Sequence, residues 1–232
     1  SVKAQKYKNW KIYLTADKYE GDEGEIKKVM EDIIPKDQIQ YKNRTTAGER
    51  DNKKWSTKQI RFTAGSAALN DSLDMAKKDG CDYIVRIDHD DKWAPNHLEL
   101  LAKAYTQFPD LGFCFTRSKK KVTAHNTSKK IFMQPQKDYD MDLNNKGYGA
   151  NDTSHSATSW RPSITGDLRY RNPDKQRNTA PKLKGAPTGS GGILPVDWDM
   201  FKRIMTNVKD KGKNYMYIPK ITSFYRNREG KF

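Results

Sequence analysis

The sequence predicts an α/β fold, a mostly parallel central sheet flanked by helices, with a long polar loop region inserted. Three observations carry this. Over the first 118 residues, short runs of strand character alternate with stretches whose apolar residues recur at helical spacing. Strands separated by helices pair in parallel, because a parallel pair needs a crossover connection. Residues 119–190 lose both periodicities and are rich in Lys, Asn, Asp, Ser, Thr, Gly and Pro. At 232 residues one domain is the expectation, long enough to bury a core without disulfide staples.

The elements follow in order. Residues 10–17 (WKIYLTAD) alternate apolar and polar side chains as a strand does. Residues 24–34 place Ile26, Val29, Met30, Ile33 and Ile34 on a helical face, and Pro35 closes the helix. Residues 38–42 (QIQYK) form a short strand. Residues 66–78 repeat Ala67, Ala68, Leu69, Leu73 and Ala76 in helical register, ending before Gly80. Residues 82–87 (DYIVRI) are a strand running into Asp88-His89-Asp90-Asp91. Residues 95–108 are an amphipathic helix stopped by Pro109, and residues 111–116 (LGFCFT) are another strand. Within the polar stretch only Ile131-Phe132-Met133 has strand character. Pattern returns at residues 197–208, a helix carrying Trp198, Phe201, Ile204 and Met205, followed by one or two short strands over 215–218 and 222–225.

Composition narrows the function. Hydrophobic residues make up 34% of the chain, so polar loops should surround a small core. Lys and Arg number 44 against 29 acidic residues, a net charge of +15. That charge suits phosphorylated substrates, a polyanion or an anionic surface. The lysines are dispersed, the dense runs being Lys119-Lys120-Lys121 and Lys129-Lys130, and there is no zinc-finger, helix-turn-helix or RNA-recognition signature, so no nucleic-acid partner is expected. No apolar run approaches the roughly 18 residues of a membrane span, and no leader opens the chain. The two cysteines, Cys81 and Cys114, build neither a disulfide framework nor a zinc site and read as buried thiols. A cytoplasmic location is the expectation. Gly189-Ser190-Gly191-Gly192 lacks the Lys-Ser/Thr ending of a phosphate loop and reads as a flexible turn.

The strongest chemical signal is Asp88-His89-Asp90-Asp91-Lys92-Trp93 after an apolar strand. Ligands of open α/β sheets bind beyond the carboxyl ends of strands. Three carboxylates there repel one another and want a cation. Mg2+ or Mn2+ is the natural partner, held by one or two carboxylates and by substrate phosphates. A plain acidic turn before a helix is the simpler reading of the same residues.

The chain resembles the family-two, GT-A-type inverting glycosyltransferases. The likeness rests on Gly65-Ser66-Ala67-Ala68-Leu69-Asn70, the strand DYIVRI and Asp88-His89-Asp90-Asp91-Lys92-Trp93-Ala94-Pro95. Further similar segments are His155-Ser156-Ala157-Thr158-Ser159-Trp160-Arg161, Val196-Asp197-Trp198-Asp199-Met200, and Ile218-Pro219 followed by Tyr225-Arg226. Three departures stand out. Val196 replaces the family's Glu, and Asn227 and Arg228 follow Tyr225-Arg226 where the family often has a His. Residues 1–10 resemble the approach to the family's second strand, which would put a first strand upstream of residue 1; residues 10–17 are the alternative first strand.

The resemblance implies a GT-A, Rossmann-like fold over residues 1–232. Residues 1–118 would bind the nucleotide sugar and metal, and 119–232 would form the acceptor side. It implies transfer of a sugar from a nucleoside-diphosphate sugar, a UDP-sugar first, to a hydroxyl of a glycan or glycoprotein acceptor. Asp90 and Asp88 would hold Mn2+ or Mg2+, Asp88 also reaching the ribose. Asp17 and Asn70 would contact the nucleotide. Arg226, with Arg228, would clamp the diphosphate. Asp197 would be the general base, with Asp199 as fallback, since inverting transfer needs a carboxylate to take the acceptor's proton. A nucleotidyltransferase of related fold and a basic, non-catalytic polyanion-binding module remain the alternatives.

Overall fold

The computed structural model describes residues 1–121, 154–179 and 192–226. The expected strand at Ile131–Met133 and most of the glycine turn at residues 189–192 lie outside them. The chain divides into two compact units, each drawn from separate stretches of sequence. No helix among the described residues is long and apolar enough to cross a membrane.

One unit comprises Asn9–Cys81 and Asp167–Ile204. Strand β1 (Ile12–Ala16) pairs in parallel with β2 (Ile39–Asn43), Ile12 opposite Ile39 through Ala16 opposite Asn43. The crossover between them is α1 (Glu23–Ile33). Asp22 caps α1 by accepting from the Gly24 amide at 2.7 Å, and Glu23 and Glu25 in the first turn suit the positive end of the helix dipole. Ile34, forced out of helical geometry by the following Pro35, ends it. Helix α2 (Thr57–Thr63) opens with a capping box between Ser56 and Gln59. Helix α3 (Ser66–Lys78) starts after Gly65, whose φ of 84° no β-branched residue would accept readily. It packs on β1, with Thr15 Oγ1 2.8 Å from Ser72 Oγ. Asp79, just beyond α3, takes Tyr13 and Gln40 on one oxygen at 3.0 and 2.8 Å, tying the starts of both strands to the helix end.

The other unit comprises Ser1–Lys8, Asp82–Gly166 and Met205–Phe232. It holds β3 (Ile84–Val85), β4 (Lys92–Trp93), α4 (His97–Gln107), β5 (Leu111–Lys121), β6 (Thr158–Trp160) and α5 (Pro162–Thr165). Helix α6 (Pro173–Thr179) belongs to the unit described first, and α7 (Val196–Asp210) contributes residues to both. Strand β7 (Asn214–Arg226) completes a five-stranded sheet of order β3-β6-β5-β7-β4. The expected parallel pairing holds for β5 with β7, as it does for β1 with β2. The β3–β6, β5–β6 and β4–β7 pairs are antiparallel, so this sheet is mixed.

Strand β5 is the centre of that sheet: Leu111, Phe113, Cys114, Phe115 and Thr116 are all 0% exposed. Leu101, Ala104 and Tyr105 of α4 pack on Leu111, Cys114, Met216 and Ile218 to form the core. Gly112 sits under α5 and α7, where a Cβ would lie 2.6 Å from Ile164 and 2.8 Å from Val208. The strand character expected over 215–218 and 222–225, as one strand or two, is a single strand with an interruption. Ile218 pairs with Thr116 and Ile221 with Arg117, so Pro219-Lys220 is bulged out where proline has no N–H for the ladder.

His97 is 0% exposed, stacks on Trp93 at 4.6 Å, and hydrogen-bonds Thr222 Oγ1 through Nδ1 at 2.7 Å. Its Nε2 is buried with no hydrogen-bond partner. Burial pushes its pKa down from 6.5 to about 3. The imidazole therefore stays neutral in the fold while the unfolded chain takes up protons first. Stability falls as pH drops from about 6.5 towards 3, by up to about 1.4 kcal/mol per pH unit from this group. His97→Gln should flatten the slope. Urea unfolding across that range checks it: the stability gap between wild type and variant narrows with acid, whereas parallel slopes would contradict the assignment.

Candidate functional site

The acidic turn is built by strand register. Antiparallel pairing sets Ile84 opposite Trp160 and Val85 opposite Ser159. Continued three residues beyond the last pair, that register brings Asp88 alongside Ser156. The Asp88 amide donates to Ser156 Oγ at 3.0 Å, and the same hydroxyl donates to Asp91 Oδ2. The Asp91 amide donates to the Asp88 carbonyl at 3.0 Å, closing the turn. Trp93 Nε1 donates to the Ser156 carbonyl from below. Arg86 and Asp88 are two residues apart on an extended chain, hence on one face, and Arg86 Nη2 lies 2.6 Å from Asp88 Oδ1. The Arg86 guanidinium also reaches the His155 ring, which burial first, and the Arg86 charge second, holds well below the usual imidazole range.

Asp88 keeps 41% of its side chain exposed, and Asp90 and Asp91 are half-buried. Among the described residues, no three His, Cys, Asp or Glu side chains cluster closely enough to hold a metal ion by themselves. The donor type present, Asp carboxylate oxygen, is the one a hard cation of the Mg2+ or Mn2+ kind takes beside substrate phosphates.

The unit built on β1 and β2 carries the other candidates. Asp17 follows β1 directly, and its side chain is only 11% exposed. Both carboxylate oxygens are buried without a hydrogen bond; the nearest cations are Arg44 Nε at 3.9 Å and Arg50 Nε at 3.7 Å. Arg44 is turned to Asp71, which also takes Lys42 at 3.1 Å. Glu49, 4% exposed, accepts from the Ala67 amide in the first turn of α3. Burial chiefly, and the nearby Asp17 charge as well, raise the Glu49 pKa above the ordinary carboxyl value.

Asn70 is engaged on both atoms of its amide: Nδ2 donates to the Tyr170 carbonyl at 2.9 Å, and Oδ1 accepts from the Tyr170 amide at 2.8 Å. It is a strut between α3 and the chain approaching α6. Asp197 lies in the first turn of α7, half-buried, with Oδ1 accepting from the Trp198 amide at 2.9 Å. Asp199, two residues on, is 1% exposed and clasped by two guanidinium groups, Arg171 and Arg203. Desolvation lowers the Arg203 pKa, opposed by the Asp199 charge. Arg226 ends β7, and Arg228 lies beyond the described residues.

Asp88 and Asp90 thus share one turn in one unit, while Asp17, Asn70, Asp197 and Asp199 belong to the other. Sequence reasoning missed Arg86, Ser156, Glu49, Arg171 and Arg203. Arg86 had a signal: it is the one basic residue of the strand DYIVRI, two positions before Asp88. The others are recognisable only from partners far away in sequence.

Comparison with known proteins fits this architecture. The family model described as Glycosyl transferase family 2 matches residues 1–168, and the chain belongs to that family. An uncharacterized glycosyltransferase of Acanthamoeba polyphaga mimivirus is 33% identical over 122 residues, covering 51% of this chain and 46% of that protein. The chain therefore spans about half the length of this curated relative. Among solved structures, residues 1–349 of S. aureus TarS superpose with a TM-score of 0.55 at 9% identity, covering 97% of this chain and 54% of that one. At that identity the likeness is one of fold.

The Asp199 ion pairs yield a stability prediction. Asp199→Asn leaves two guanidinium groups facing a neutral amide in a buried position. Removing one partner of such a cluster costs about 3–5 kcal/mol. Chemical denaturation of Asp199→Asn beside Asp197→Asn checks this: the first should lose most of that amount, and the second should stay within about 1 kcal/mol of wild type, since the Asn amide oxygen can still accept from the Trp198 amide.

Proposed function

We propose that this chain moves a sugar from a nucleoside-diphosphate sugar, a UDP-sugar being the first candidate, to a hydroxyl of a glycan or glycoprotein acceptor, with inversion at the anomeric carbon. The observation that carries the reading is Asp17. A carboxylate with both oxygens buried and no hydrogen bond is costly, because guanidinium nitrogens at 3.7 and 3.9 Å offset its desolvation only in part. The N–H of a nucleobase or the hydroxyls of a ribose offset that cost when a nucleotide binds. Family membership supports sugar transfer as the chemistry.

The chain's own residues divide the work. Asp17 takes the nucleoside. Asp90 and Asp88 would hold Mn2+ or Mg2+, and that ion, when bound, neutralises charge on the departing diphosphate. Arg86 fixes the Asp88 carboxylate at 2.6 Å, limiting its rotation. Asp197 accepts the proton of the acceptor hydroxyl as that oxygen attacks. Asp199 is the weaker candidate for this step, since its oxygens are already occupied by Arg171 and Arg203 in a position 1% exposed.

The test combines binding and turnover. UDP with Mn2+ should raise the melting temperature by mass action, and Asp17→Ala should abolish the rise. Asp197→Asn should keep the rise and lose UDP release from a panel of UDP-sugars by about 10²–10⁴-fold, the usual worth of a general base. No Mn2+-dependent stabilisation by any nucleoside diphosphate, or undiminished turnover in Asp197→Asn, would contradict the reading. Steep salt dependence of polyanion binding without turnover would favour the binding module instead.

A further inference from the structure

We infer that Ser156 is a positioning residue of the acidic turn, whose single hydroxyl locks the backbone carrying Asp88, Asp90 and Asp91 before any cation arrives. The inference rests on the proposed role of that turn in metal binding. A serine hydroxyl offers one donor and two acceptor sites. Here the donor goes to the Asp91 carboxylate, and an acceptor site takes the Asp88 amide at 3.0 Å. One 0%-exposed oxygen therefore ties together the two residues that flank His89-Asp90. The bond to Asp91 is charge-assisted and correspondingly strong.

The lock is itself held. Trp93, 7% exposed, grips the Ser156 carbonyl through its indole N–H. The Ala157 amide bonds the Ser154 carbonyl at 3.0 Å, and Ser154 is anchored to β5 by its amide on Ser118 Oγ at 2.8 Å. The lock also divides labour among three neighbouring carboxylates. Asp91 is engaged by a neutral hydroxyl and Asp88 by the Arg86 guanidinium, so each has a protein partner besides whatever the turn binds. Outer groups that orient ligating carboxylates typically matter about 10–100-fold in metal affinity.

The experiment uses Ser156→Ala and Ser156→Cys. The thiol fills the serine's space but donates and accepts poorly, so the second variant folds even where a void would not be tolerated. Two readouts are taken: hydrogen exchange at the Asp88 amide in metal-free protein, and Mn2+ affinity by electron paramagnetic resonance in the presence of UDP. Both variants should expose the Asp88 amide to faster exchange and weaken Mn2+ by about 10–100-fold. Ser159→Ala is the control for general loosening. Ser159 is also buried, but it bonds the Cys114 carbonyl at 2.8 Å and Tyr105 at 3.0 Å, away from the turn, so its variant should keep wild-type Mn2+ affinity. Wild-type Mn2+ affinity in either Ser156 variant overturns the inference, and if Asp90→Ala still loses the metal, the metal reading survives alone. A wild-type protein that binds no Mn2+ with UDP ends both, and that outcome is recognisable without any Ser156 variant.

Discussion

The antiparallel register between β3 and β6 is the constraint on which the acidic turn depends. Strand β5, buried on both faces, fixes β6 by pairing Phe113, Cys114 and Phe115 with Trp160, Ser159 and Thr158. Strand β6 then fixes β3, and the register delivers Ser156 to the Asp88 amide. A slip of one residue would turn every side chain to the opposite face and separate that pair. The dense core formed by α4, β5 and β7 resists such a slip. Packing in the sheet centre is thereby converted into the geometry of a polar turn at its edge.

The unit built on β1 and β2 faces a different problem, that of holding many charges at low exposure. It solves part of it with ion pairs: Asp199 with Arg171 and Arg203, Asp71 with Arg44 and Lys42, Asp79 with Lys11. Asp17 is paired more loosely than these. Its nearest guanidinium nitrogens lie at 3.7 and 3.9 Å, and neither oxygen accepts a hydrogen bond. Native structures seldom leave a buried polar atom unmatched without reason, and such places tend to be functional. Burial raises the pKa of Glu49 beside it, with the Asp17 charge a lesser contribution.

Much of the fold could be read from the residues. Helix α3 has the boundaries expected, Ser66–Lys78, because Gly65 and Gly80 punctuate a clear apolar period. Helices α1, α4 and α7 shift by one or two residues at their ends, as fraying and caps commonly allow. The strand expected at 82–87 is laddered only at Ile84–Val85, since its partner β6 is three residues long. Helix α2 was invisible because seven residues with two apolar side chains show no period. Residues 158–160 fell inside the stretch expected to be loop. Thr158, Ser159 and Trp160 are buried, yet two of them are hydroxyl residues that meet their needs through hydrogen bonds rather than apolarity. The β-strand β5 likewise runs on to Lys121, into residues with no strand signal, because β7 pairs with it that far. In the candidate site, the carboxylates were legible by type and spacing. Their partners, Arg86 excepted, were not, since Ser156 lies 68 residues from Asp88 and Arg171 lies 28 from Asp199.

The central claim is that the acidic turn and Asp17 serve a nucleotide sugar. A crystal structure of the chain with UDP and Mn2+ tests it most directly. The account predicts the metal on an Asp90 oxygen at about 2.0–2.2 Å, joined to phosphate, with the Asp88 amide still on Ser156 Oγ. It also predicts a uracil N–H or ribose hydroxyl within hydrogen-bond distance of Asp17, about 2.6–3.2 Å. UDP bound away from Asp17, or a metal held without Asp90, would contradict it.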